Sequence, residues 1–216
     1  FIAKTVEELH EKGEKYSDFV VLYRMNALSR VVEDCLLRYA IPYRVLGGLR
    51  FYDRKEIKDL TSYSRLIQNT SDNVAFRRII NEPKRGIGAT TVDKIAEIAE
   101  QNGISMFEVC QKAENFEELA RSKAKLGSFS GMIEWLLEKL ESGLGLEEFV
   151  KDVLRESHMI SALEQERTIE ALTRIENLNE FVTMVQETVK ANGETTLFDL
   201  LENISLVSDI EEKAQS

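Results

Sequence analysis

Apolar residues return every three or four positions over most of this chain, and that spacing predicts helices. After residue 115 nothing else is seen. Phe129, Met132, Ile133, Leu136, Leu137 and Leu140 form one stripe, and Leu146, Phe149, Val150, Val153 and Leu154 form the next. A longer stripe runs through Ile169, Leu172, Ile175, Leu178, Val182 and Val185 and stops at Asn192-Gly193. Nearer the start, Ile2, Val6 and Leu9 make a short amphipathic helix ended by Gly13, and Val32, Cys35, Leu36 and Tyr39 make another. Ile57, Leu60, Tyr63 and Ile67 mark one side of a third. A short helix around Phe76, Ile79 and Ile80 ends before Pro83, and Val92, Ile95, Ala96 and Ala99 follow it.

Two stretches break the period. Phe19-Val20-Val21-Leu22-Tyr23 is an unbroken apolar run, which suits a strand covered on both faces in a parallel sheet. Tyr43-Arg44-Val45-Leu46 reads as a second strand, after Pro42 and before the turn-forming pair Gly47-Gly48. The fold expected is therefore predominantly α with a small parallel α/β portion, strand-helix-strand, followed by an all-helical part. Capping pairs punctuate the helices: Asp53 with Glu56, Thr90 with Asp93, Ser105 with Glu108 and Thr196 with Asp199, while Asn26 and Ser29 are candidate caps after the first strand. There is no internal repeat.

Charge changes the picture at the same place as the pattern. The 216 residues carry a net −10. Residues 1–113 hold 18 Lys and Arg against 16 Asp and Glu, a net of +2; residues 114–216 hold 10 against 22, a net of −12. Arg44–Arg85 alone holds ten basic and five acidic residues. A subdomain boundary is expected near 114, with one basic patch before it. Two separated cysteines, Cys35 and Cys110, make neither a disulfide framework nor a metal site, and His10 and His158 stand alone. No run is long enough to cross a membrane, and no signal peptide opens the chain. Phe1 begins in mid-pattern, so an excised piece of a longer protein is expected.

Three stretches could carry chemistry. Tyr23-Arg24 stands at the carboxyl end of the first expected strand, where ligands of open α/β sheets bind; the ring suits a base and the guanidinium a phosphate. A plain strand-to-helix tie is the alternative. Gly86-Ile87-Gly88, between two short helices and preceded by Pro83, Lys84 and Arg85, resembles the helix-hairpin-helix element that grips DNA backbone; an ordinary tight turn is its alternative. Arg50-Phe51-Tyr52-Asp53-Arg54 alternates basic and aromatic residues as single-strand platforms do, and reads equally well as a helix start with a hydrophobic staple. Arg174-Ile175-Glu176-Asn177 reads as a surface ion pair plus core contacts. No phosphate loop, His-Glu-x-x-His or nucleophile elbow occurs, so no catalytic site is complete in this sequence.

Taken together, Leu22–Arg30, Ile41–Asp59, Asn81–Gly88 and Thr168 with Arg174–Leu178 resemble, in order and spacing, the UvrD/PcrA/Rep group of superfamily-one DNA helicases, nearest its PcrA-like members. The resemblance covers nearly the whole chain and is weakest over 114–165. It implies that residues 1–113 are the incomplete N-terminal part of a second RecA-like motor domain, and 114–216 its helical accessory insertion, a body that swings between open and closed states. Tyr23 would stack on adenine. Arg24 would contact the γ-phosphate as the catalytic residue. The expected DNA-binding set is Arg54, Lys84, Arg85, Gly86, Ile87, Gly88 and Thr90, with no metal ligand. ATP and Mg²⁺ would serve the full-length 3′–5′ helicase, and none is expected bound to this piece alone, which is expected to lack ATPase activity. Expected partners are DNA at a single-strand/duplex junction, the rest of the motor, and repair or replication proteins, with no membrane, in a bacterial, nucleoid-associated cytoplasm. The later motor motifs are missing and Ser216 falls near where they should begin, so uncovered apolar edges with partial disorder or self-association are expected. The alternative is a stand-alone DNA-binding or protein-interaction module without catalysis.

Overall fold

The computed structural model describes residues 1–23, 28–46 and 49–213, with side chains to residue 207. Eleven α-helices are found among them: α1 (Ile2–Glu11), α2 (Leu28–Arg38), α3 (Lys55–Gln68), α4 (Asn73–Ile79), α5 (Ala89–Asn102), α6 (Met106–Gln111), α7 (Lys123–Glu141), α8 (Leu146–Glu156), α9 (Met159–Glu166), α10 (Ile169–Asn192) and α11 (Leu197–Lys213). Helix α10 ends at Gly193 as its stop signal predicts.

No strand occurs among the described residues, which corrects the expected parallel α/β portion. The stretches 19–23 and 41–46 are irregular. A strand exists only through ladder bonds to a neighbour, and neither stretch has one here. Several of their apolar side chains are uncovered, Val20 at 74%, Leu22 at 90% and Leu46 at 78% exposure, while Ile41 is buried. The apolar run reported a capacity for burial and not a partner to provide it.

Helix α3 is the hub. The sequence shows one apolar side, yet Asp59, Ser62 and Ser64 are buried along with Ile57, Leu60, Tyr63, Leu66 and Ile67. It packs against α4, α7, α8, α10 and α11. The serines fit because each hydroxyl donates to a carbonyl four residues back, Ser62 Oγ to Lys58 O at 2.7 Å and Ser64 Oγ to Leu60 O at 3.2 Å. Asp59 accepts from Lys55 Nζ at 2.9 Å and Arg78 Nε at 2.8 Å, so its buried charge is matched. One apolar core runs from Phe51 to Ile204. A second, small one holds Ala3, Val6, Leu36 and Ile41 between α1 and α2.

The caps are partly as expected. Ser105 Oγ accepts from Glu108 N at 3.1 Å, and Thr196 and Asp199 bond each other's amides reciprocally at 2.9 and 3.2 Å. Asp53 does not cap α3. It ends a 3-10 turn that buries Phe51 and Tyr52, and it pairs with Lys58 at 2.6 Å. Helix α5 starts from Gly88, which leaves Thr90 in its first turn and not at its cap. Ser29 lies within α2, and Asn26 falls outside the described residues.

Cys110 is enclosed between α6 and α7, and its Sγ donates to Leu126 O at 3.3 Å. Burial, with the charge of Glu134 second, pushes its thiol up to about 12. The thiolate is the reactive form, so Cys110 should resist a disulfide reagent at pH 8 in the folded chain, whereas half-buried Cys35 should react. Titration should count one fast thiol in buffer and two in guanidinium; two fast thiols in buffer would contradict the packing.

Candidate nucleic-acid interface

The hairpin joining α4 to α5 is built from the inside. Asn81 Oδ1 accepts from two amides across the loop, Arg85 N at 2.8 Å and Ile87 N at 3.1 Å, which closes residues 81–87 into a rigid turn. Ile87 anchors it in the core. Gly86 sits at φ +70°, a left-handed conformation that strains any side chain, and a Cβ there would lie 2.7 Å from Lys125 Nζ and displace that lysine. The Glu82-Pro83 peptide is cis.

Arg85 points inward. Its guanidinium donates to Ile79 O and Pro83 O at 3.1 Å, to Tyr63 Oη at 2.6 Å and to Ser157 O at 3.2 Å. It also lies over the rings of Tyr63, at 5.8 Å, and Phe129, at 5.4 Å. Tyr63 in turn donates to Glu82 O at 2.6 Å, and burial, opposed by Arg85, pushes its hydroxyl up to about 12. Arg85 therefore binds the hairpin to α3, α7 and the end of α8. Its charge supports the loop from beneath.

The outer face is different. Lys84, Gly86, Gly88 and Thr90 are exposed, and Lys84 forms no ion pair or hydrogen bond among the described residues. Lys125 Nζ reaches Gly86 O at 2.9 Å. It brings with it the start of α7 and the two residues before it, where Arg121 and Lys123 are exposed and Thr91 Oγ1 meets Ser122 Oγ at 3.4 Å. Three of the ten basic residues after 113 thus fall in 121–125, beside the hairpin and the N-terminus of α5. Only the fold shows this, because Lys125 and Gly86 are 39 residues apart. Asn81 is absent from the expected DNA-binding set, and an Asn shortly before a Pro-x-x-Gly turn is the local signal of its bracing role.

Arg54 is interior as well, 9% exposed. It donates to Asn177 Oδ1 at 2.7 Å and Ser29 Oγ at 2.6 Å, with its charge 5.3 Å from the centre of the Phe51 ring. Burial lowers its pKa, while Glu33, Glu56 and Tyr23 favour the charged form. Phe51 and Tyr52 are core residues, so the single-strand stacking platform of residues 50–54 is withdrawn. Tyr23 is 36% exposed at the end of the irregular apolar stretch. Arg24 lies outside the described residues. Among the described residues no cluster of His, Cys, Asp and Glu could hold a metal ion, and no helix is long and apolar enough to cross a membrane.

A hairpin with exposed glycines at a helix N-terminus, rimmed by exposed cations, is the kind of surface found on proteins that hold nucleic-acid backbone. Comparison with known proteins gives the family: the UvrD-like helicase C-terminal domain matches residues 1–216, and the chain belongs to it. It is 39% identical over 216 residues to ATP-dependent DNA helicase PcrA of Bacillus subtilis, covering 100% of this chain and 29% of that protein. The PcrA proteins of Staphylococcus epidermidis and Staphylococcus aureus are 40% and 38% identical over 214 residues, covering 98% of this chain and 29% of each relative. The chain thus spans 29% of the length of these curated relatives.

Proposed function

We propose that this chain supplies the DNA-backbone grip and one edge of the nucleotide site of an ATP-dependent 3′–5′ DNA helicase. The observation that carries it is the clamped hairpin 81–88, whose exposed backbone and Lys84 stand beside Arg121 and Lys123. Phosphates would lie along the N-terminus of α5, where Gly88, Ala89 and Thr90 present exposed backbone and a free hydroxyl, and the cations would displace condensed counterions. Such contacts hold a duplex in register without reading its sequence. Arg85, expected to add charge to the hairpin, and Arg54, expected in the DNA set, serve by shaping the surface from within.

In this reading residues 1–113 belong to the second motor domain and 114–216 to its helical insertion, with residues from Phe51 onward packed on that insertion in one apolar core. Tyr23 would face the adenine and Arg24 the γ-phosphate. The charge of Arg24 would stabilise the transferring phosphoryl group, with Mg²⁺ held by residues of the full-length protein. The chemistry that bound ATP supplies is hydrolysis coupled to movement along the strand. The partners are DNA at a junction, the remaining motor and repair or replication proteins.

The test is fluorescence anisotropy of a duplex with a 3′ tail at several salt concentrations. Lys84, Arg121 and Lys123 replaced together by alanine should flatten the dependence of log K on log salt by about 2 to 3. As surface changes they should leave thermal stability within about 0.5 kcal/mol. Arg85→Ala is unsuitable for this purpose, because it would disturb the loop itself. An unchanged salt slope in the triple variant would refute the grip.

A further inference from the structure

The two apolar cores do not merge; the groups between them are polar. Helix α2 brings Ser29, Arg30 and Glu33, all buried. Helix α3 and the residue before it bring Arg54 and Glu56. Helix α10 brings Asn177, Glu180 and Glu187, spaced three and seven residues apart on one face. Asn177, 3% exposed, joins the other two: its Oδ1 accepts from Arg54 Nη1 at 2.7 Å and its Nδ2 donates to Glu56 Oε1 at 2.5 Å. Arg54 Nη2 then donates to Ser29 Oγ at 2.6 Å, in the first turn of α2. A second tie runs parallel, Arg30 Nε to Glu180 at 2.7 Å and Arg30 Nη2 to Glu187 at 3.1 Å. An interface made of directed bonds has discrete states, made or broken.

We infer that Asn177 is a positioning residue for the nucleotide-facing segment: through Arg54 and Ser29 it fixes the start of α2, which follows Tyr23 by five residues in the chain, to the long helix α10. The inference rests on the proposed reading of Tyr23 as a nucleotide contact. The helical body and the nucleotide edge are then coupled, because α10 can leave α2 only by breaking this seam. Asn suits the task where Asp or Leu does not. Its amide satisfies a cation and a carboxylate at once without adding charge to a buried cluster.

Two measurements separate the seam from the nucleotide reading. In the 216-residue chain, hydrogen exchange should show α2 amides exchanging about tenfold faster in Asn177→Ala and in the smaller change Ser29→Ala, with α5 to α8 within about twofold. Acceleration spread evenly over the chain, or none in α2, overturns the positioning role. In the full-length helicase, Tyr23→Ala and Asn177→Ala should each raise KM for ATP by about fivefold or more, and Asn177→Ala should change kcat less than about twofold. An unchanged KM in Tyr23→Ala overturns the nucleotide reading. A raised KM in Tyr23→Ala with wild-type KM in Asn177→Ala overturns the coupling alone.

Discussion

Replacing Arg85 by alanine is expected to lower the free energy of unfolding by about 3–5 kcal/mol, and the melting temperature by about 6–20 °C for a chain of this size. The guanidinium makes four hydrogen bonds, three to backbone carbonyls of separate segments and one to Tyr63. Its loss leaves the carbonyls of Pro83 and Ser157 without that donor, while Ile79 O keeps Glu82 N and Tyr63 Oη keeps Glu82 O; a stranded buried acceptor costs about 1–3 kcal/mol. Arg85→Lys should restore less than half of the loss, because an ammonium cannot reproduce the planar fork that meets four acceptors on three sides. Urea unfolding followed by circular dichroism measures both. A change in Arg85→Ala smaller than about 0.5 kcal/mol, the size of an ordinary surface substitution, would show that these contacts do not hold the loop.

Phe129→Ala should cost a similar amount, about 3–5 kcal/mol, by a different route. Phe129 is fully enclosed on α7, edge-on to Phe76 at 5.8 Å and 83°, with Arg85 over its face. Truncation leaves a cavity where α4 and α7 meet and removes the ring from under the cation. The single tryptophan, Trp135, lies on the same helix and reports the transition by fluorescence. The two losses share a contact, so the double variant should fall short of their sum by about 0.5–3 kcal/mol. Strict additivity would mean that Arg85 and Phe129 act independently despite the geometry.

What was legible in the sequence was local. Helix α10 carries its own start at Thr168, which accepts from Ala171 N at 3.0 Å, and its own stop at Gly193. The stripes of α7 and α8 declare themselves over several turns. Strand assignment failed because a ladder is a relation between segments, and residues 19–23 state only their hydrophobicity. Arg54 and Arg85 looked like surface charge for the same reason. Their acceptors, Asn177 and Ser157, lie 123 and 72 residues further on. Asn177 read as ordinary because Arg174 and Glu176 beside it are surface-like, whereas its own face of α10 carries Phe181 and Met184 into the core. Reach across the chain decides whether a cation faces water or protein, and no window of ten residues contains that reach.

The 123-residue separation within the Arg54–Asn177 bond also has a meaning in time. Chains grow at roughly 5–20 residues per second, so α3 waits about 6–25 s on the ribosome before α10 follows it. Throughout that interval Arg54 can meet Ser29, made before it, but both Arg54 and Glu56 lack the Asn177 amide that completes their burial. Closure of the hub helix at that end therefore waits for α10, whose Asn177 bonds both side chains at once.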